Sequence, residues 1–245
     1  MNELTVPELS VILPAYNEGK VIEGNLNILI QKLDDLGLDY EIIIVNDGSK
    51  DDTLEKITSC KHPRVKILSY AANRGKGFAV RYGVNAAVGR YILFMDVDLS
   101  TDLGEINKFM LTMRPGFFDV IIGNRKIDLS FQLVQQPFYR RFLGGGFAQL
   151  SSLTIGHRFL DFTCGFKMFT STAAKRIFSR QRIFNWAFDT ELIYIALLQG
   201  FKIHEIPVIW RDQGDSKVRL GREILSSLVS LMQIRINGLK GVYRS

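Results

Sequence analysis

The chain has 245 residues, 47% apolar and 23% charged, a composition that excludes a disordered or coiled-coil protein and fits a folded globular one. Its net charge of +6 is unevenly divided: residues 1–122 carry 13 basic and 17 acidic side chains, residues 123–245 carry 18 and 8, so a half of −4 precedes a half of +10. The halves are expected to face different partners, the basic one an anion such as nucleic acid, a phosphorylated substrate or an anionic membrane surface.

No run approaches the ~18 consecutive apolar residues of a transmembrane helix. Met1 to Pro7 is acidic and lacks the apolar core of a signal peptide. Cys60 and Cys164, far apart, give neither a disulfide framework nor a metal-binding spacing and read as reduced, buried thiols of a cytosolic protein.

Along the first half, short β-branched runs at Leu9–Pro14, Glu41–Val45, Val65–Tyr70, Tyr91–Met95 and Val120–Ile122 read as buried parallel strands. Amphipathic stretches lie between them; in Val21–Leu36, the residues Val21, Leu26, Leu29, Ile30 and Leu33 recur at helical spacing and Gly37 follows as a C-cap. The alternation implies an α/β fold with an open, mostly parallel, doubly wound sheet and helices on both faces. Residues 124–160, rich in Phe, Gly and Arg, read as a flexible, partly amphipathic segment rather than a sheet element. Helices are expected at Ser171–Phe178, Phe188–Leu198 and about Glu223 to Leu239, with a strand near Lys202–Trp210.

Ligands of such sheets bind beyond the carboxyl ends of the strands. The first strand runs into Pro14-Ala15-Tyr16-Asn17-Glu18 and the second into Val45-Asn46-Asp47-Gly48-Ser49, with Asp51 and Asp52 beyond: a ring for stacking and carboxylates able to accept N–H or ribose O–H bonds. Asn17 and Ser49 also suit ordinary helix caps. After the fourth strand comes Asp96-Val97-Asp98, whose carboxylates, at i and i+2 of an extended chain, point to one side. Two such charges repel unless a cation joins them, and all-oxygen ligands favour Mg²⁺ or Mn²⁺ with positions left for substrate phosphates. Asn73-Arg74-Gly75-Lys76-Gly77 opens a helix but is not a P-loop, and the first strand lacks the Gly-x-Gly-x-x-Gly of a dehydrogenase.

Together these four stretches resemble the family 2 glycosyltransferases of GT-A fold over nearly the whole chain, which is expected to be a single domain of residues 1–245 with a nucleotide-binding half (1–122) and an acceptor half (123–245). In the second half, Cys164-Gly165-Phe166-Lys167-Met168-Phe169, Trp186-Ala187-Phe188-Asp189 with Glu191, and Ile206-Pro207-Val208 to Trp210 followed by Gly214, Ser216 and Lys217 resemble polyprenyl-phosphate sugar synthases, the dolichyl-phosphate glucosyl branch more than the mannosyl one. The resemblance implies inverting transfer of glucose from UDP-glucose to a polyprenyl monophosphate. It implies base and ribose contacts at Pro14, Ala15, Tyr16, Glu18, Val45 and Asp47; a metal and diphosphate site at Asp96, Val97 and Asp98 with Lys76; Arg125 near the acceptor phosphate, where Asn124 replaces the usual Ser; and Arg211 with Lys217 over the donor phosphates. Catalytic roles fall to Asp98, Arg125, Asp189 and Lys217. Asp189 and Glu191 lie where other members keep a base, but a lipid monophosphate, with a second pKa of about 6, is already a dianion at neutral pH and needs none; a supporting role is expected. Eukaryotic glucosyl members usually carry an N-terminal membrane anchor, whereas this chain begins almost at its first strand, so its anchoring is expected to differ.

Arg140 and Arg141 either position the acceptor or form a solvated or lipid-facing pair. Segment 131–160 and the last helix either lie in the membrane interface or pack on the sheet or in a homodimer. The expected partners are a nucleotide-sugar donor, a polyprenyl phosphate and the cytoplasmic face of a membrane. Alternatives are a synthase using GDP-mannose and a family 2 transferase with a non-lipid acceptor. A nucleic-acid-binding protein is disfavoured, because the aromatics follow no RNA-binding motif and the acidic strand tips repel phosphates.

Overall fold

The computed structural model describes residues 6–126, 138–211 and 220–244, with side chains described outside 138–144 and 220–225. Among these, seven strands form one sheet: β1 (Leu9–Ala15), β2 (Tyr40–Asp47), β3 (Val65–Tyr70), β4 (Tyr91–Met95), β5 (Val120–Asn124), β6 (Phe166–Thr170) and β7 (Ile203–Pro207). The order is β3-β2-β1-β4-β6-β5-β7, parallel except for β6, which runs antiparallel to both neighbours. One sheet thus joins the acidic and the basic halves of the chain.

Side chains alternating along the strands split the core into two layers. Ile12, Ile43, Val45, Phe94, Ile122 and Phe169 pack against α3 (Lys76–Ala86), α6 (Ser171–Arg180) and α7 (Phe188–Leu198). Leu9, Val11, Leu13, Ile42, Ile44 and Leu93 face α1 (Ile22–Asp35), α2 (Thr53–Ser59) and α4 (Glu105–Met113). Helix α1 buries Ile22, Leu26, Leu29 and Leu33 and stops at Gly37, whose φ of 63° supplies the left-handed turn expected of it. Helix α7 is buried on every side from Phe188 to Ala196, so any polar group on it must find a partner inside the protein.

Three elements depart from the sequence reading. Phe166–Thr170 is a strand, hidden by the Lys at its second position, and it is buried with that Lys paired. Phe138–Ile155 is helix α5, although Gly144, Gly145 and Gly146 interrupt it; contacts with α7 and α8 (Leu220–Leu239) outweigh the ~1 kcal/mol that each Gly costs a helix. The strand expected at Lys202–Trp210 ends at Pro207, and Trp210 instead bridges Thr101.

Because β6 is reversed, its first residue lies beside the last of β4, Met95 against Phe166. Residues 16–19, 47–52, 71–76, 96–100, 125 and 208–211 and the approach to β6 at Cys164 and Gly165 therefore share one edge of the sheet. Towards the opposite edge sits Glu41, 5% exposed, which accepts from Ser10 Oγ (2.6 Å), Val88 N (2.7 Å) and Lys66 Nζ (2.7 Å). Burial would raise its pKa, but Lys66, Ser10 and Val88 together hold it below the ordinary Glu range. A depressed carboxylate stabilises the fold above its unfolded pKa of about 4.3 and loses that contribution as the pH falls. Glu41→Ala, which strands two buried donors, is expected to cost roughly 2–5 kcal/mol at neutral pH; Glu41→Gln costs less, and the gap between wild type and either variant narrows in acid. Urea unfolding at neutral pH and near pH 4 measures it.

Candidate active site

The tips of β1 and β2 are tied to each other. Asn17, held at φ 55°, donates its N–H to Ser49 Oγ (3.0 Å), while Lys50 N donates to Asn17 Oδ1 (2.8 Å). Asp51 accepts from Gly19 N (3.1 Å) and Thr53 N (3.1 Å), and Asp52 pairs with Lys56 at 2.8 Å. The carboxylates gathered beyond the second strand are therefore divided: Asp51 and Asp52 build the loop, and Asp47 alone faces the next strand end. Asp47 takes Arg74 N (2.7 Å), Gly75 N (3.0 Å) and Asn73 Nδ2 (2.9 Å), fixing the entry to α3. Of the other residues expected to receive a nucleotide, Pro14 and Glu18 are partly exposed and Tyr16 presents its ring at the edge, while Ala15 and Val45 are buried in the core layers.

Asp96 and Asp98 follow β4 as the sequence implied. Asp96 stands against the Lys76 ammonium and has room only because residue 165 is Gly, where a Cβ would lie 2.1 Å from Asp96 Oδ2. Asp98 accepts from Ser100 N (2.9 Å), and its pKa is raised by burial and then by Asp96. Val97 between them is buried. Leu99 has φ 54°; it and Asn17 are the two non-glycine residues in the left-handed region among the described residues, and both lie in strand-end loops, a conformation that Asn adopts readily and Leu only under strain. Arg211 is exposed and donates its N–H to Ser100 O (2.8 Å), so the 208–211 segment lies beside the acidic pair. The pair is all-oxygen, with Lys76 resting on one of its members, and no third His, Cys, Asp or Glu completes a metal cage among the described residues. Such a set fits a hard divalent cation that keeps water and phosphate ligands.

Behind this pair lies a buried ion pair missed in the sequence. Lys167, wholly buried as the second residue of β6, donates to Asp189 Oδ1 (2.5 Å) and Cys164 O (2.7 Å). Burial raises the pKa of Asp189 against the opposing pull of Lys167 and Lys76. The signal was a lone Lys inside Phe166-Lys167-Met168-Phe169, since a buried ammonium requires a buried carboxylate. Glu191, two residues on, turns away from the pair and accepts from Arg182 N (3.0 Å), Ile183 N (2.8 Å) and Tyr243 Oη (2.7 Å).

Arg125 is clamped by Asp161, a second residue missed: Nε–Oδ2 is 2.7 Å and Nη2–Oδ1 2.8 Å, with Thr163 Oγ1 at 3.0 Å from Nη2 and the Trp210 ring 5.5 Å from the guanidinium carbon. Burial would raise Asp161, but Arg125 brings its pKa to about 2. Glu205 in turn accepts from Asn124 Nδ2 and from the N–H groups of Leu160 and Asp161. Burial pushes the Cys164 thiol up to about 12, which removes it as a nucleophile. Lys217 and the side chains of Arg140 and Arg141 lie outside the described residues.

The family model for glycosyl transferase family 2 matches residues 10–178. A dolichyl-phosphate β-glucosyltransferase of Trichomonas vaginalis is 34% identical over 245 residues, covering 95% of this chain and 72% of that one. The enzyme of the same name from Dictyostelium discoideum is 34% identical over 249 residues, with coverage of 96% and 76%. Among solved structures, glucosyl-3-phosphoglycerate synthase from Mycobacterium tuberculosis, in complex with Mn²⁺, UDP-glucose and phosphoglyceric acid, has a TM-score of 0.68 at 16% identity over 94% of this chain and 80% of that chain. Strand order, acidic strand tip and sequence similarity agree: the chain is a glycosyltransferase of GT-A fold that belongs to glycosyl transferase family 2, among the dolichyl-phosphate β-glucosyltransferases.

Proposed function

We propose that the enzyme transfers glucose from UDP-glucose to a polyprenyl, dolichyl-type monophosphate with inversion, working at the cytoplasmic face of a membrane. The observation that carries this reading is the meeting at one sheet edge of the acidic pair Asp96 and Asp98 with two fixed cations, Lys76 and Arg125, each within electrostatic reach of Asp96. One acidic centre beside two cations suits a reaction that brings a diphosphate leaving group and a phosphate nucleophile together.

Tyr16, Glu18 and Asp47, with Pro14 and Ala15 beneath them and Val45 in the core behind, receive the base and ribose. Asp96 and Asp98 hold Mg²⁺ or Mn²⁺, which when bound offsets the charge of the donor diphosphate. Lys76 and Arg211, joined by Lys217, flank the diphosphate. Arg125, kept in one orientation by Asp161, takes the acceptor phosphate, with Arg140 and Arg141 on its approach. An acceptor phosphate oxygen attacks the anomeric carbon from the face opposite the diphosphate; the new C–O bond forms as the old one breaks, and UDP departs. The nucleophile carries no proton to remove, and Asp189, already committed to Lys167, orients the sugar side of the pocket rather than acting as base.

The lipid acceptor places the protein at a bilayer. No helix of the described residues is long and apolar enough to cross a membrane, but Leu153 of α5 and Val229, Met232 and Leu239 of α8 are 67–78% exposed. Arg235 on α8 reaches Thr154 O on α5 (3.5 Å), so the two helices meet there, with a cation between their apolar faces.

The donor reading is tested by melting temperature: at ~100 Kd a ligand adds about 2.7 kcal/mol, roughly 5–10 °C for a chain of this size. UDP-glucose with Mn²⁺ or Mg²⁺ should give that rise in wild type and none in Asp98→Ala; a rise with GDP-mannose alone would move the enzyme to the mannosyl branch. Arg125→Lys, unable to form the two-point contact with Asp161, should raise the acceptor KM at least about tenfold, ~1.4 kcal/mol, with donor affinity intact; equal loss of donor affinity would put Arg125 on the donor instead. In flotation, the protein should rise with vesicles containing anionic lipid and lose binding on Met232→Asp with Leu153→Asp; wild type that stays with the soluble fraction on every vesicle would remove the membrane.

A further inference from the structure

The first turn of α7 carries two buried carboxylates with different duties. Asp189 faces the site, whereas Glu191 faces a loop and the end of the chain. That end is tightly placed. Beyond α8 the chain reverses at Gly241 (φ 74°), with Val242 N donating to Asn237 O (3.0 Å), and Tyr243 is thereby carried into the interior, where it is wholly buried. Its hydroxyl donates to Glu191 Oε1 (2.7 Å) and accepts from Asn237 Nδ2 (3.1 Å), and its carbonyl accepts from Gln199 Nε2 (2.6 Å). Helix α8 comes close enough to α7 that a Cβ at residue 238 would lie 2.3 Å from Tyr194 Oη.

From Glu191 a continuous set of contacts leads to the donor side. The carboxylate holds the N–H groups of Arg182 and Ile183. Within the same loop, Gln181, fully buried, donates to Gly77 O (3.1 Å) and Ile183 O (2.9 Å), and Phe184 O accepts from Gly77 N (3.1 Å). Residue 75 must be Gly here: its φ is 93°, and a Cβ would lie 2.8 Å from Phe184 O. The 181–184 loop thus grips both Gly75 and Gly77, and the residue between them is Lys76, whose ammonium rests on Asp96. Two residues past the loop, the Trp186 ring lies 5.9 Å from that ammonium.

We propose that Tyr243 and Glu191 form a positioning clamp for the donor: through the 181–184 loop they set the start of α3 and so the place of Lys76 beside Asp96. Neither residue touches the reacting atoms. The inference rests on the reading of Lys76 as a donor-diphosphate group, and it links the last turn of the chain to the opposite end of the site.

The titration of Glu191 supplies an independent readout. Burial raises its pKa to about 7, against the hydrogen bonds from Tyr243, Ile183 and Arg182. Arg182 in the loop and Tyr243 on the terminal turn are the charged and titratable groups facing it. A protonated Glu191 has fewer acceptor positions for the loop, so donor binding should weaken as the pH falls through the neutral range. Losing the Tyr243 hydroxyl raises the Glu191 pKa further, and the weakening should then begin at higher pH.

The test compares wild type, Tyr243→Phe and Glu191→Gln across the neutral range, with affinity for UDP and GDP by calorimetry in Mn²⁺ and steady-state kinetics with UDP-glucose and GDP-mannose. Each variant should weaken the donor nucleotide about threefold to tenfold, the effect of a lost hydrogen bond, with the acceptor KM unchanged and kcat at saturating donor largely kept. The pH profile of donor affinity should move to higher pH in Tyr243→Phe and flatten in Glu191→Gln. Unchanged donor affinity in a folded variant would overturn the clamp. So would a fall in kcat with donor affinity intact, the pattern of simple loss of folded enzyme. Wild type that binds GDP and not UDP would overturn the donor assignment and leave the clamp to be read on GDP; variants that weaken the acceptor alone would show that Lys76 serves the other substrate and overturn the proposal.

Discussion

The interaction on which the site depends is the buried contact between Lys167 on β6 and Asp189 on α7. An ammonium with no solvent exposure is tolerated in a β-sheet only when a carboxylate and a carbonyl share its charge, and removing either partner of such a pair costs several kcal/mol. Meeting that requirement presses the first turn of α7 onto the start of β6, beside the end of β4. Asp189 is thereby brought within reach of Lys76 and Asp96, and the reversed strand that carries Lys167 also brings Gly165, whose missing side chain gives Asp96 its space. Charged groups from three distant stretches of sequence thus meet around one pair.

The same edge shows how the enzyme handles like charges. Asp47, Asp96 and Asp98, with Asp189 behind them, are each treated differently. Asp47 is satisfied by backbone and amide N–H groups at the entry to α3. Asp189 is neutralised by Lys167 and Asp96 by Lys76, while Asp98 keeps a raised pKa beside Asp96 with a backbone N–H for support. Two carboxylates set this close at a strand end raise each other's cost of ionisation, which is the electrostatic setting that a cation relieves. Arg125 shows the opposite device: its fork is locked on the buried Asp161, which holds a positive charge in one place at the same edge.

Much of this was legible in the chain. Continuous β-branched runs mark parallel strands buried on both faces, and the rule that ligands gather at strand ends singled out Tyr16, Asp47, Asp96 and Asp98, which the structure places at one edge of the sheet. The residues that escaped notice are those whose meaning depends on a distant partner. Asp161 is an ordinary acidic residue until it is seen under Arg125, 36 positions away; Lys167 reads as a break in an apolar run until Asp189 is set against it; Asp51 and Asp52 read as ligands until they are found holding Gly19, Thr53 and Lys56. Helix α5 was obscured for a similar reason, because three glycines lower local helix propensity and only packing restores it.

What the sequence determined by itself was the fold class, the acidic pair after the fourth strand and the division between a −4 and a +10 half, because each depends on local spacing and composition. Only the tertiary structure decided that the second half returns to the same sheet, supplying β6, β7 and the end of β5, so that both halves meet at one sheet edge. It also decided which carboxylates stay at the sheet edge and which are committed to holding loops and helices in place. Burial and partnership make that choice, and both belong to residues far apart in the chain.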